Sequence, residues 1–169
     1  MRLEKTGFFV DGRVMQWQDS EQISAGLEQV FNQVLENRMH GLPVLNPALS
    51  VQAVGFQRYQ SDWLGVLVTP WFMNLLLLPG RDIGWSEQCP GSKFEKQFPY
   101  GVFEFTLAHE AQLGDFALCS LFSPMFQFAN QDDALAAAQA ALQGLLAVAA
   151  PSSISRRDLL RGFIGKGSA

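Results

Sequence analysis

The residues able to do chemistry are few and scattered along the chain. Two cysteines, Cys89 and Cys119, show neither metal-knuckle nor redox CxxC spacing. His40 and His109 lie far apart and form no His–Glu–x–x–His pair. There is no phosphate loop, no GxGxxG fingerprint and no GxSxG elbow. Glu95, Glu104 and Glu110 are the carboxylates nearest the aromatic segments, at no spacing that pairs an acid with a base. The pattern therefore names no catalytic residue, no metal ligand and no cofactor. Cys119 reads as a small core residue, Cys89 as a loop residue, and each histidine as a surface or helix-end residue.

What remains is suited to recognition. Trp71-Phe72-Met73 follows Pro70, and aromatics with Met suit an adaptable contact surface. The same three residues would also fill a core, and both readings stand; strand alternation places Trp71 and Met73 on one face. Farther on, Ser155-Arg156-Arg157-Asp158-Leu159-Leu160-Arg161 looks like a twin-arginine export motif, in which paired arginines precede an apolar pair and a basic residue. An export signal is N-terminal and runs into a long apolar segment, whereas Gly162-Phe163-Ile164-Gly165-Lys166 follows here. The expectation is that the motif exports nothing. It is either a mimic of a partner's signal, seated in the protein's own binding groove, or a plain basic amphipathic end that contacts an acidic partner or a membrane surface.

Charge divides the same way. Residues 155–166 carry a local +3, and the remainder, with 8 basic and 15 acidic residues, sits at −7. An acidic body disfavours nucleic acid, which needs a basic face, and favours a basic peptide. The N-terminal MRLEKTGFFVDGRV lacks the apolar run of a secretion signal, and the run around Leu75–Leu78 is too short to span a bilayer. The expected location is a reducing cytoplasm, without disulfides and without stable membrane insertion.

Elements must position these residues, and 169 residues suit one domain. Apolar residues make up 48% of the chain, with 14 Phe against 2 Tyr, enough for a packed core. Residues 1–19 read as an extended arm. Ser20 and Gln22 open a helical pattern with Ile23, Leu27, Val30, Phe31, Val34 and Leu35 on its stripe, ending near His40–Gly41. Residues 50–60, with Val54 and Phe56 on one side, and 63–69 read as a hairpin turning at Ser61–Asp62. Residues 71–80 form a further apolar segment, 81–97 a loop, and 98–108 and 116–122 strands joined at Gly114–Asp115. Asn130 caps a second helix with Leu135, Ala138, Leu142, Leu145, Leu146 and Ala149 inward, and Pro151 ends it. The expected fold is α+β: an antiparallel sheet of about four to six strands, packed on one face by an N-terminal and a C-terminal helix. The domain covers 20–150, followed by a basic tail, 151–169.

Five segments together resemble a known family. They are Leu45-Asn46-Pro47-Ala48-Leu49; Trp63 with Val68-Thr69-Pro70-Trp71-Phe72-Met73-Asn74; Leu78-Pro79-Gly80; Phe98-Pro99-Tyr100-Gly101-Val102-Phe103-Glu104-Phe105-Thr106; and Cys119-Ser120-Leu121-Phe122-Ser123-Pro124-Met125. In this order and spacing, over roughly residues 20–165, the chain resembles the HybE/HupJ hydrogenase maturation family. The resemblance implies a non-catalytic cytoplasmic chaperone that binds precursors of the small or large subunit of nickel–iron hydrogenases. It also implies a link to the small subunit's twin-arginine signal peptide and to delayed export. Some relatives carry a fused rubredoxin, whose four cysteines are not found here. The candidate partner-contacting residues are Trp71, Phe72, Met73, Tyr100, Phe103, Arg156, Arg157, Leu159 and Leu160. Two other classes remain open, a redox adaptor that shields immature hydrogenase from oxygen, and an enzyme acting on a small acyl substrate. Oligomeric state is not legible.

Overall fold

The structure is a computed structural model that describes residues 17–80 and 88–147. The tail 151–169 and most of the expected arm lie outside the described residues.

The first helix, α1 (Ser20–Val34), begins at Asp19, whose carboxylate accepts the Gln22 N–H at 2.8 Å. Asp19, one residue before the expected start, is therefore the cap. Ile23, Leu27, Val30 and Phe31 are buried on its inner stripe. A π-helical turn, Leu35–Met39, continues it to His40.

Six antiparallel strands follow: β1 (Gln52–Tyr59), β2 (Asp62–Val68), β3 (Met73–Leu78), β4 (Lys93–Phe98), β5 (Gly101–Glu110) and β6 (Gly114–Phe122). They form one sheet in the order β1-β2-β3-β6-β5-β4. The last helix, α2 (Gln131–Leu146), is capped as expected by Asn130, whose side-chain oxygen accepts the Asp133 N–H.

The helices do not share a face. Residues Leu64, Val66, Val68, Leu75 and Leu77 pack with α2's Ala134, Ala138, Ala141, Leu142 and Leu145. Their strand neighbours Trp63, Leu67, Leu76 and Leu78 pack with α1's Ile23, Leu27, Val30 and Phe31. The sheet lies between the two helices, and β2 and β3 are buried along their whole length. Strands covered on both faces read as continuous apolar runs, as these do.

Three local expectations also change. Lys93–Gln97, expected within a loop, and Phe98, expected to open the next strand, form an edge strand whose Lys93, Glu95 and Gln97 point to solvent. Charged residues there suit an edge, because they oppose further strand addition. Val54 and Phe56 face opposite helices, because the β1–β2 register shifts between Val54 and Gln57 around Gly55, at φ 64°. The hairpin turn sits at Gln60–Ser61, so Asp62 begins β2 and is buried.

The sheet also curls. Its outermost strands are β1 and β4, yet Tyr59 of β1 stacks on Phe98 of β4 with ring centroids 4.9 Å apart. The Tyr59 hydroxyl donates to the Gln97 carbonyl at 3.1 Å, and Lys96 pairs with Asp62 at 3.4 Å. On the same side α2 reaches both edges. Gln131 accepts the Ser50 N–H ahead of β1, and the Leu145 carbonyl accepts the Tyr100 N–H at the β4–β5 turn. The second helix thus lies inside the curl, and α1 covers the outside of the β1–β2–β3 half.

Candidate functional site

The best-built surface feature is the turn from β2 into β3. The Thr69 hydroxyl oxygen accepts the N–H groups of Trp71 and Phe72 at 3.2 and 2.9 Å and itself donates to the Phe72 carbonyl at 3.0 Å. The Thr69 N–H donates to that same carbonyl at 2.8 Å. Nearby, the Asn46 N–H donates to the Pro70 carbonyl, and the Asn46 side chain donates to the carbonyls of Met125 and Phe128. Asn46 is buried, so each of these bonds is shielded from competing water. Residues from 45–49, 68–74 and 119–125, distant in sequence, therefore meet at one end of the sheet.

This scaffold holds two aromatic rings at the surface. Trp71 and Phe72 are half-buried, in edge contact at 5.4 Å, and Phe72 leans edge-on against α1's Phe31 at 5.9 Å. Both pack on the α1 side of the sheet. Met73 does not share their face; it is fully buried in the cluster beneath α2. The chain reverses at Pro70–Trp71, so alternation starts only at Phe72, which breaks the expected pairing of Trp71 with Met73. Tyr100 is half-buried at the β4–β5 turn, and Phe103 is buried beside it with rings 6.4 Å apart. These two belong to the α2 side, so the structure separates them from Trp71 and Phe72. Burial gives Met73 and Phe103 the role of supporting the surface from beneath. Arg156, Arg157, Leu159 and Leu160 lie outside the described residues.

No polar residue of this region stands out in the sequence by type or spacing. Asn74 is the second residue of β3, 5% exposed, and its side-chain oxygen is enclosed without a hydrogen-bond partner. The signal was present as a single Asn inside Met-Asn-Leu-Leu-Leu-Leu.

The charge of the described residues as a whole is one-sided. The described residues hold four Lys or Arg against eleven Asp or Glu, a net −7. Arg38 pairs with Glu110 at 2.7 Å, Lys93 with Glu104 at 2.8 Å, and Lys96 with Asp62. The fourth, Arg58, lies 4.2 Å over the Trp63 ring. The hydrogen bond and charge of Glu110 hold the Arg38 guanidinium above its ordinary pKa. The polar hollow bounded by this pair, Gln33, Asn37 and Gln112 offers little to an apolar partner. His109 pairs with Asp115 at 2.7 Å, Cys119 is buried, and Cys89 is exposed. Among the described residues no three His, Cys, Asp or Glu side chains gather as a metal site, and no helix is long and apolar enough to cross a membrane.

Comparison with known proteins bears on what such a surface serves. The family described as "NiFe-hydrogenase assembly, chaperone, HybE" matches residues 22–162. The hydrogenase expression/formation protein HupJ of Bradyrhizobium diazoefficiens is 41% identical over 145 residues, covering 79% of this chain and 84% of that protein. A probable rubredoxin HupJ of Rhodobacter capsulatus is 40% identical over 121 residues, covering 72% of this chain but only 43% of its own length. The solution structure of HybE from Escherichia coli superposes with a TM-score of 0.64 at 24% identity, covering 84% of this chain and 88% of that one, a likeness of fold.

Proposed function

We propose a precursor-holding role for this protein, on the premise that the chain belongs to the HybE family of NiFe-hydrogenase assembly chaperones. The protein binds precursor subunits of a nickel–iron hydrogenase in the cytoplasm and does no covalent chemistry on them. The small subunit, with its twin-arginine signal peptide, is the preferred client. The carrying observation is the pair of partly exposed rings, Trp71 and Phe72, pinned on a hydrogen-bonded turn in an acid-rich body. Aromatic anchors with few mobile bonds give contact area at low entropic cost, and an acidic surround attracts a basic peptide. Tyr100 extends the contact at the other face. The basic stretch with Arg156, Arg157, Leu159 and Leu160 competes with the client for the acidic surface.

A rubredoxin-like role fits these residues poorly. Such a site takes four cysteine thiolates, and this chain has two cysteines, one buried in the core.

The test is capture of precursors. Tagged protein from cells expressing a hydrogenase should retain a precursor that still carries its signal, identified by mass spectrometry. Recovery of mature subunits alone, or of none, would count against the reading.

A further inference from the structure

Asn74 is out of place by the logic of its strand. Every residue of β3 is buried, and β3 is central, with β2 and β6 on either side. The register against β6 shifts between Met73 and Asn74, so the pairing is irregular at this residue. The enclosed side-chain oxygen finds no donor. Buried acceptors without partners are rare in native proteins, and a leucine would occupy such a place without that penalty. The indole N–H groups of Trp17 and Trp63 also lack partners, but those side chains contribute large apolar bodies to the core in return. Asn74 contributes no such body.

Its position suggests what the oxygen is for. Alternation places Phe72, Asn74, Leu76 and Leu78 on the α1 side, and α1 covers the last two. Across the sheet Asn74 faces Leu67, fully buried, on one side and Ser120, exposed, on the other. It therefore lies at the border where the cover of α1 stops. Trp71 and Phe72, the two partly exposed rings, stand three and two positions before it. An acceptor lacking a donor, an adjacent aromatic step and a body of net −7 ask for a cationic donor with a flat face. The guanidinium group carries five N–H donors and no acceptor, and it stacks on indole. A lysine ammonium has no flat face to lie on the indole, so it is not held there to donate to the oxygen.

We propose that Trp71 and Asn74 form a subsite for one arginine side chain of the client, the guanidinium stacking on the indole and donating to the Asn74 oxygen. The oxygen is enclosed in the free protein, so the arginine reaches it by local rearrangement of the β2–β3 turn that precedes it. The proposal rests on the preceding reading in that the client presents a basic segment.

The probe is a synthetic peptide of about twenty residues with two adjacent arginines ahead of an apolar stretch, and a copy with both arginines replaced by lysine. Titration calorimetry should show the arginine peptide binding the full-length wild-type protein at least about tenfold more tightly than the lysine peptide, since a charge-assisted hydrogen bond is lost. Asn74→Leu should erase that preference, so that both peptides bind alike, while the melting temperature stays level or rises. A second measurement needs no variant: the Asn74 side-chain amide and Trp71 indole resonances should shift as the arginine peptide is added and stay still with the lysine peptide. If the wild type binds the arginine peptide but Asn74→Leu retains the preference, or the resonances do not move, the subsite is wrong and the chaperone reading stands. If the wild type binds neither peptide, the subsite fails together with the signal-peptide part of that reading.

Discussion

Trp71 and Met73 stand two positions apart and should answer mutation differently. Trp71 is half-buried, so Trp71→Ser should weaken precursor capture while costing about 1 kcal/mol of stability. Met73 is fully buried under α2, and Met73→Ser should cost about 2–5 kcal/mol and lower the melting temperature by several degrees. Melting curves read beside a capture assay separate the two, and equal losses of stability would assign Trp71 to the core. Asn46 is a third kind of residue, a buried fastener. Asn46→Ala leaves the carbonyls of Met125 and Phe128 without their donor, at about 1–3 kcal/mol for each bond lost. Denaturant unfolding should show that loss, and binding should fall with it if the β2–β3 turn loosens. A variant as stable as the wild type would remove Asn46 from this role.

At the scale of elements, the β1–β2 pair depends on a missing side chain. A Cβ at Gly65 would sit 2.5 Å from the Phe56 ring, so Gly65→Ala should cost about 1–3 kcal/mol by forcing that ring off its place between β1 and α1. A melting temperature unchanged in Gly65→Ala would show that Phe56 has room to move. Both helices were legible from the sequence, because apolar residues recur at their period and Asn130 is a strong cap. The two central strands were legible as strands from their apolar runs, and those same runs held the clue to two-sided burial that a one-face sheet ignores. The β4 strand was not legible, because Lys93, Glu95 and Lys96 make an edge strand look like the polar loop before it. The opposed faces of Val54 and Phe56 depend on a bulge at Gly55, and alternation alone does not report a bulge. At the candidate site Trp71 and Phe72 were legible as neighbouring aromatics, and their partial exposure was not, because the same residues would also fill a core. The burial of Met73 was not, since the reversal at Pro70 resets the alternation, and Asn74 was read only as part of a motif.

At the scale of the whole molecule, charge divides the chain. The described body sits at −7, and residues 155–166 carry +3. If that stretch competes with a client, deleting 152–169 should tighten binding of the arginine peptide, and Arg156→Gln with Arg157→Gln should reproduce most of the gain. A tethered competitor acts at an effective concentration of about millimolar, so even a weak contact would register. The gain should shrink as salt rises from 0.05 to about 0.5 M, because screening shortens to a few ångströms. Equal affinities for the full-length and truncated proteins would exclude competition, and lost binding on truncation would make the stretch part of the holding surface. The central claim, that the protein holds an unexported precursor, is tested most directly by mixing purified protein with the hydrogenase small-subunit precursor, with and without its signal peptide, and following complex formation by size-exclusion chromatography with light scattering. A complex should form with the signal-bearing precursor and be much weakened by removing the signal or by Trp71→Ser; equal binding with and without the signal, or no complex at tens of micromolar, would contradict the precursor-holding role.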